Sequence, residues 1–172
     1  MTRTTNARIA GFTFLFYIAA GIASLVLDGR AHATDVLSLL TSFSALVLGV
    51  TLYAITREQD PELAMLALVC RVIEGIPGSP GTIYFDVGST LFSWLLLRGR
   101  MIPVALAWLG VLASGLLVVI LPLQRAGLFG GDRRWSSSVT WLMWLPALVF
   151  ELTFAVWLIV KGVAAPARRQ SA

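Results

Sequence analysis

A chain of 172 residues that is 58% hydrophobic and only 13% charged, with a mean hydropathy of +0.84, has more apolar surface than a soluble globule of this length can bury. It belongs in lipid. The net charge of +4 does not point to nucleic acid: the cations sit in loops and tails beside apolar runs, where topology and lipid headgroups need them, and no basic stripe with interleaved aromatics occurs.

Six apolar runs approach or reach the roughly 20 residues that cross a layer of about 30 Å: 9–27, 36–55, 61–76, 82–97, 101–122 and 140–160. Lipid cannot hydrogen-bond a bare backbone, so each is predicted to be helical. The first run follows Arg3 and Arg8 and precedes Ala31-His32-Ala33, the form of a signal-cleavage site. It exceeds the usual core of about 7 to 15 apolar residues, and Asp28 and Arg30 interrupt the cleavage region, so an uncleaved span is expected. Thr34-Asp35 offers a cap for the second helix. Asp60-Pro61-Glu62 supplies a capping acid, a proline at the first helical position and an acid in the first turn of the third. Pro77-Gly78-Ser79-Pro80-Gly81 is a turn that ends the third helix.

The third run is short and contains Arg71, Glu74 and Cys70, the single cysteine, which reads as a small buried hydrophobe. Its Leu, Ile and Val residues return about 3 kcal/mol on insertion, against roughly 5 to 7 kcal/mol for the two charges. It spans only if Arg71 and Glu74, three residues apart and on one helical face, pair and turn into the bundle. Otherwise it lies in the interface and five crossings remain. With six, the tails and even-numbered loops hold Arg3, Arg8, Arg57, Arg98, Arg100, Lys161, Arg168 and Arg169; the other side holds Arg30, Arg125, Arg133 and Arg134. Both termini are then expected in the cytoplasm. Trp135 and Trp141 suit a belt at the opposite interface. No hydrophilic domain, linker or internal repeat divides the chain, so residues 1–172 read as one transmembrane domain.

Small residues recur at helical spacing in Ser38, Ser42, Ala45 and Gly49, and again in Gly110 and Ser114, which predicts close helix packing. Glu151 lies near the middle of the last run, where an ionised carboxylate costs roughly 2.5 to 3.5 kcal/mol. At a rise of about 1.5 Å per residue, Arg71, Glu74, Asp86 and Glu151 reach similar depths in the outer half of the bundle. One cation among three acids leaves a formal charge of minus two, to be met by protons, water in a cavity, or a bound cation. The alternative is an Arg71–Glu151 interhelical pair, with Glu74 and Asp86 reaching headgroup water. Pro146 is positioned to kink the last helix and free a carbonyl near the acid.

No catalytic residue set emerges. The one histidine, His32, lies in a loop, which excludes a His-based triad, a haem pair or a zinc set, and no phosphate loop, G-x-S-x-G or CxxC occurs. No cofactor or metal is expected.

Four segments carry a likeness: Ala7-Arg8-Ile9-Ala10-Gly11, Cys70-Arg71-Val72-Ile73-Glu74, Phe85-Asp86-Val87-Gly88, and ELTFAVWLIVKGV at 151–163. The chain resembles the bacterial integral membrane family described as domain of unknown function 4386. That resemblance implies an all-helical protein of the bacterial cytoplasmic membrane and brings no activity with it. Relative to the family, the stretch between Glu74 and Asp86 is short. The sequence thus predicts an all-α transmembrane bundle and a non-enzymatic role. One form is a structural or accessory component that docks a membrane partner or a second copy through its apolar exterior. The other is a small proton- or cation-coupled transporter, or a small-molecule or lipid-binding protein, that uses Glu151 and Arg71.

Overall fold

The computed structural model describes residues 2–27, 31–76, 79, 81–128 and 138–165. Every regular element among them is helical: α1 (Arg3–Val26), α2 (Ala31–Thr56), α3 (Pro61–Glu74), α4 (Gly81–Arg98), α5 (Val104–Arg125) and α6 (Ser138–Val160). Four of these, α1, α2, α5 and α6, are long and apolar enough to cross a membrane. The expected roles of Asp28, Arg30, Pro77, Gly78, Pro80, Arg133, Arg134, Trp135, Arg168 and Arg169 fall outside the described residues.

Local chemistry sets most helix ends. Thr2 caps α1, its side chain accepting from the Thr5 N–H at 3.1 Å. Asp60 caps α3 by accepting from the Leu63 N–H at 3.2 Å, with Pro61 and Glu62 in the first turn. Two ends differ from expectation. Thr34-Asp35 does not cap α2, which begins at Ala31; alanine is the best helix former, and residues 31–33 add a turn ahead of the polar pair. Met101 and Ile102 precede α5 instead of opening it, because Pro103 holds the position before the helix. Met101 is buried, and its carbonyl accepts from the Ala164 N–H at 2.9 Å, tying the segment after α6 to the start of α5.

Each helix packs against its neighbours in sequence and α6 closes back on α1, so the six form a ring. Small residues permit the close approaches. A Cβ on Gly11 of α1 would lie 2.7 Å from the Ala155 carbonyl oxygen of α6, and one on Gly110 of α5 would lie 2.5 Å from both Ser93 Oγ of α4 and the Phe150 ring of α6. Ser114 is buried one turn further along α5. In α2 the stripe divides: Gly49 packs on α3, where a Cβ would sit 3.0 Å from Leu68 and from Arg71, while Ser38, Ser42 and Ala45 line a cavity.

The main apolar core occupies one half of the ring, and a smaller cluster of Ala113, Leu117, Leu121 and Ala147 packs α5 on α6 beyond it. Ala7, Phe14, Leu48, Leu52, Ala64, Ala67, Leu95, Phe154 and Leu158 fill the main core, with Phe14 and Phe154 edge to face at 5.7 Å. The main core's end is laced by ion pairs from Arg3 to Glu58 (2.6 Å) and from Arg98 to Asp60 (3.3 Å). Phe12, Phe43, Leu112 and Leu142 are exposed on the outside, as lipid-facing positions should be.

At 1.5 Å per residue α1, α2, α5 and α6 are about 33 to 39 Å long, α3 only about 21 Å and α4 about 27 Å. Measured from the ion-paired end, the α3–α4 hairpin therefore stops well short of its neighbours, and the space above it is the cavity.

Gly11→Ala should separate α1 from α6 and lower stability by about 1 to 3 kcal/mol. Gly21→Ala, where an added Cβ meets nothing within 4 Å, should be neutral or slightly stabilising; unfolding in mixed micelles measures both. Arg100 holds a left-handed conformation (φ 48°) just past α4, so Arg100→Gly should gain up to about 1 kcal/mol by the same measurement.

Candidate functional site

Charge enters the bundle interior on the last turn of α3. Arg71 is 1% exposed, and its stem passes between two glycines of the flanking helices: a Cβ on Gly49 of α2 would lie 3.0 Å from Arg71 Cβ, and one on Gly88 of α4 would lie 3.4 Å from Arg71 Cδ. A side chain at Gly49 would press on the arginine, and one at Gly88 would press first on Cys70 and the Ala67 carbonyl of α3. The guanidinium lies over Phe85 of α4 and Tyr17 of α1, 5.0 and 5.7 Å from the ring centres, a cation–π arrangement strengthened by exclusion from water. The two rings stack on each other at 6.2 Å.

Glu74, one turn beyond, answers the arginine. Arg71 Nη1 lies 2.8 Å from Glu74 Oε2, yet neither atom forms a directed hydrogen bond, so the contact is an ion pair whose N–H vector misses the carboxylate. The other oxygen is better served: the Tyr17 hydroxyl donates to Glu74 Oε1 at 2.7 Å. Sequence reasoning missed Tyr17, because one aromatic within an apolar run has no spacing signal that marks it.

Asp86 and Glu151 complete the group without sharing that pair. Asp86 is wholly buried, and neither carboxylate oxygen has a hydrogen-bond partner; it does not reach headgroup water as the alternative reading required. Glu151 lines the cavity at 8% exposure, with Oε1 buried and unpartnered. Both stand within electrostatic range of Arg71 and Glu74. Arg71 nevertheless pairs within α3, and no Arg71–Glu151 bridge forms within 4.0 Å, since the i,i+3 neighbour holds the guanidinium first. Counted from the ion-paired end, Arg71, Asp86, Glu74 and Tyr17 stand at about 17, 18, 21 and 21 Å. One cation thus meets three carboxylates.

The cavity above them measures about 510 Å³. Tyr17, Glu74, Phe85 and Glu151 form its floor; Ile18, Leu148, Trp144 and the hydroxyls of Thr41 and Ser42 form its walls. Ile22, Leu25, Ile76, Trp141 and Leu145 form an exposed, apolar rim. α6 runs unbroken through Pro146, and the carbonyl that this proline leaves without its usual donor is that of Leu142, about 13 Å along the helix from Glu151. It is remote from the acid. Among the described residues no three His, Cys, Asp or Glu side chains group as metal ligands do.

Removing one member of the buried pair strands the other. Arg71→Met should lower stability by about 3 to 5 kcal/mol, and Arg71→Met with Glu74→Gln should recover more than half of that loss. Exchanging charges in Arg71→Glu with Glu151→Arg should restore nothing, because those residues are not partners. Denaturant titration in mixed micelles checks all three.

Residues 79–162 match a family described as a domain of unknown function, DUF4386. The matched stretch includes Phe85-Asp86-Val87-Gly88 and Glu151, and leaves Tyr17, Arg71 and Glu74 outside it. No curated protein and no solved structure matches the chain. Over its second half, from the end of the α3–α4 connection through α6, the chain is thus similar to that family of unknown function.

Proposed function

We propose that this is a multi-pass protein of the bacterial inner membrane, non-enzymatic, whose bundle holds a small molecule in the chamber above the α3–α4 hairpin. The observation that carries the reading is Glu151: the residue lines the floor of a cavity of about 510 Å³, and its Oε1 is buried without a hydrogen-bond partner. Glu151 shares the single cation Arg71 with two other carboxylates and, among the described residues, makes no ion pair of its own within 4.0 Å, an arrangement that a purely architectural bundle has no reason to bear. The apolar exterior serves lipid and a docked partner equally well, so it does not choose between accessory and binding roles. The chamber favours binding, with a proton or a cation meeting the charge that Arg71 leaves uncompensated.

The membrane placement follows from helix length. Six crossings would need α3, at about 21 Å, to span about 30 Å. In the arrangement we propose, α1, α2, α5 and α6 cross, while α3 and α4 enter and return on one side as a hairpin whose tip faces the chamber, the setting in which irregular backbone is tolerated at membrane depth. Both arrangements keep the two termini on the same side. The ion-paired end carries Arg3, Arg8, Arg57, Arg98, Arg100 and Lys161, which supports a cytoplasmic location for that end and an outward-facing chamber.

Thiol labelling tests this reading. In a Cys70→Ala background, Ser42→Cys and Ser79→Cys should react in intact cells with a small charged thiol reagent, while Ala64→Cys in the packed half should not. Silence of both chamber thiols from outside, with reaction from the cytoplasmic face, would reverse the orientation; silence from both faces would remove the chamber.

A further inference from the structure

Resting on that reading, we infer that the chamber takes an amphipathic organic cation, an ammonium head on an apolar body, which reaches it from the bilayer with the head towards Glu151.

Three observations converge on this chemistry. The floor presents carboxylate and hides its cation: Glu74 and Glu151 line the cavity, whereas Arg71 does not and is 1% exposed. A phosphate or carboxylate ligand would meet like charge with no accessible counter-ion. Glu74 is already engaged by Arg71 and by the Tyr17 hydroxyl, so Glu151, which lines the cavity and makes no ion pair within 4.0 Å among the described residues, is the group left to receive a head. An inorganic divalent ion fits poorly, because such ions gather about six or more oxygens, and no ligand group of that kind exists among the described residues.

The walls specify the rest of the molecule. Ile18, Leu148 and Trp144 offer apolar and aromatic surface to a body of several carbons, and aromatic walls are the surroundings in which ammonium groups are received. The rim tells how it arrives. Ile22, Leu25, Ile76, Trp141 and Leu145 are exposed, with Ser38 and Thr82 exposed beside them, so the opening offers apolar surface to acyl chains and hydroxyls to headgroup water, and an amphipathic molecule suits both. Thr41 and Ser42 line the cavity between rim and floor.

A matched series of equal chain length tests the proposal with the unmodified protein in phosphatidylcholine nanodiscs, with protein-free discs subtracted. By calorimetry, octylammonium should bind about tenfold more tightly than octanol, and octanoate more weakly than octanol. Glu151→Gln should shrink the ammonium preference to less than about twofold while octanol still binds measurably, which reports an intact chamber. Equal binding of ammonium and alcohol to the unmodified protein would overturn the ligand class and leave the chamber standing; no binding of any of the three would overturn the chamber itself. If phosphatidylethanolamine in the discs abolishes octylammonium binding, the head comes from a resident lipid and the free amphiphile is wrong. Should Glu151→Gln fail to fold, the three-way comparison on the unmodified protein still decides.

Discussion

An arginine cannot lie in a hydrocarbon-depth interior without an answer, and the bundle is arranged around the answer given to Arg71. Glu74 supplies the opposing charge from the same helix, Tyr17 supplies a hydroxyl to that acid from α1, and Phe85 supplies a ring face from α4. Three helices are thereby fixed in register by one guanidinium. Gly49 leaves room for its stem and Gly88 lets α4 close on α3 beside it, so positions without side chains belong to the arrangement as well as those that touch the charge. Asp86 and Glu151 then fall within reach of this knot but outside its stoichiometry, which is how a structural solution produces a chemical residue: charge left over at a defined place.

What the sequence made legible was local. Six apolar runs became six helices because length and hydropathy are properties of a stretch, and Asp60-Pro61-Glu62 capped α3 because capping involves three neighbouring residues. The Arg71–Glu74 pair was readable for the same reason, being three apart on one face. Depth was partly readable, since counting residues along helices placed the four charged groups at a common level. Partnership across helices was not. Nothing about Tyr17 in its run distinguishes it from Phe14 or Phe16, and only the packing of α1 against its neighbours aims its hydroxyl at Glu74. The interhelical Arg71–Glu151 bridge failed because proximity in depth says nothing about rotation around a helix axis. Thr34-Asp35 failed as a cap because the preceding alanines extend α2 past it.

The shortest runs are the informative ones. Residues 61–76 and 82–97 give the two shortest helices, and their brevity leaves α1, α2, α5 and α6 extending past the hairpin, with α5 and α6 packed on each other there. The chamber is a consequence of unequal helix lengths and not of loosened packing; the other half of the ring is filled by Leu48, Leu95, Phe154 and their neighbours. The stripe in α2 records the same division, Gly49 serving the packed half and Ser38, Ser42 and Ala45 the open one.

That division has an electrical corollary. A hydrated vestibule conducts, and a sealed plug of leucine and phenylalanine does not, so with the chamber outward the voltage across the bilayer falls almost wholly over the plug. A cation docked at Glu151, as proposed, would then have crossed little of the field. Any onward step through the plug would gather nearly the full drop, about 2.3 kcal/mol per charge for each 100 mV, so occupancy of the floor should be insensitive to polarisation while passage beyond it should be steeply rectified.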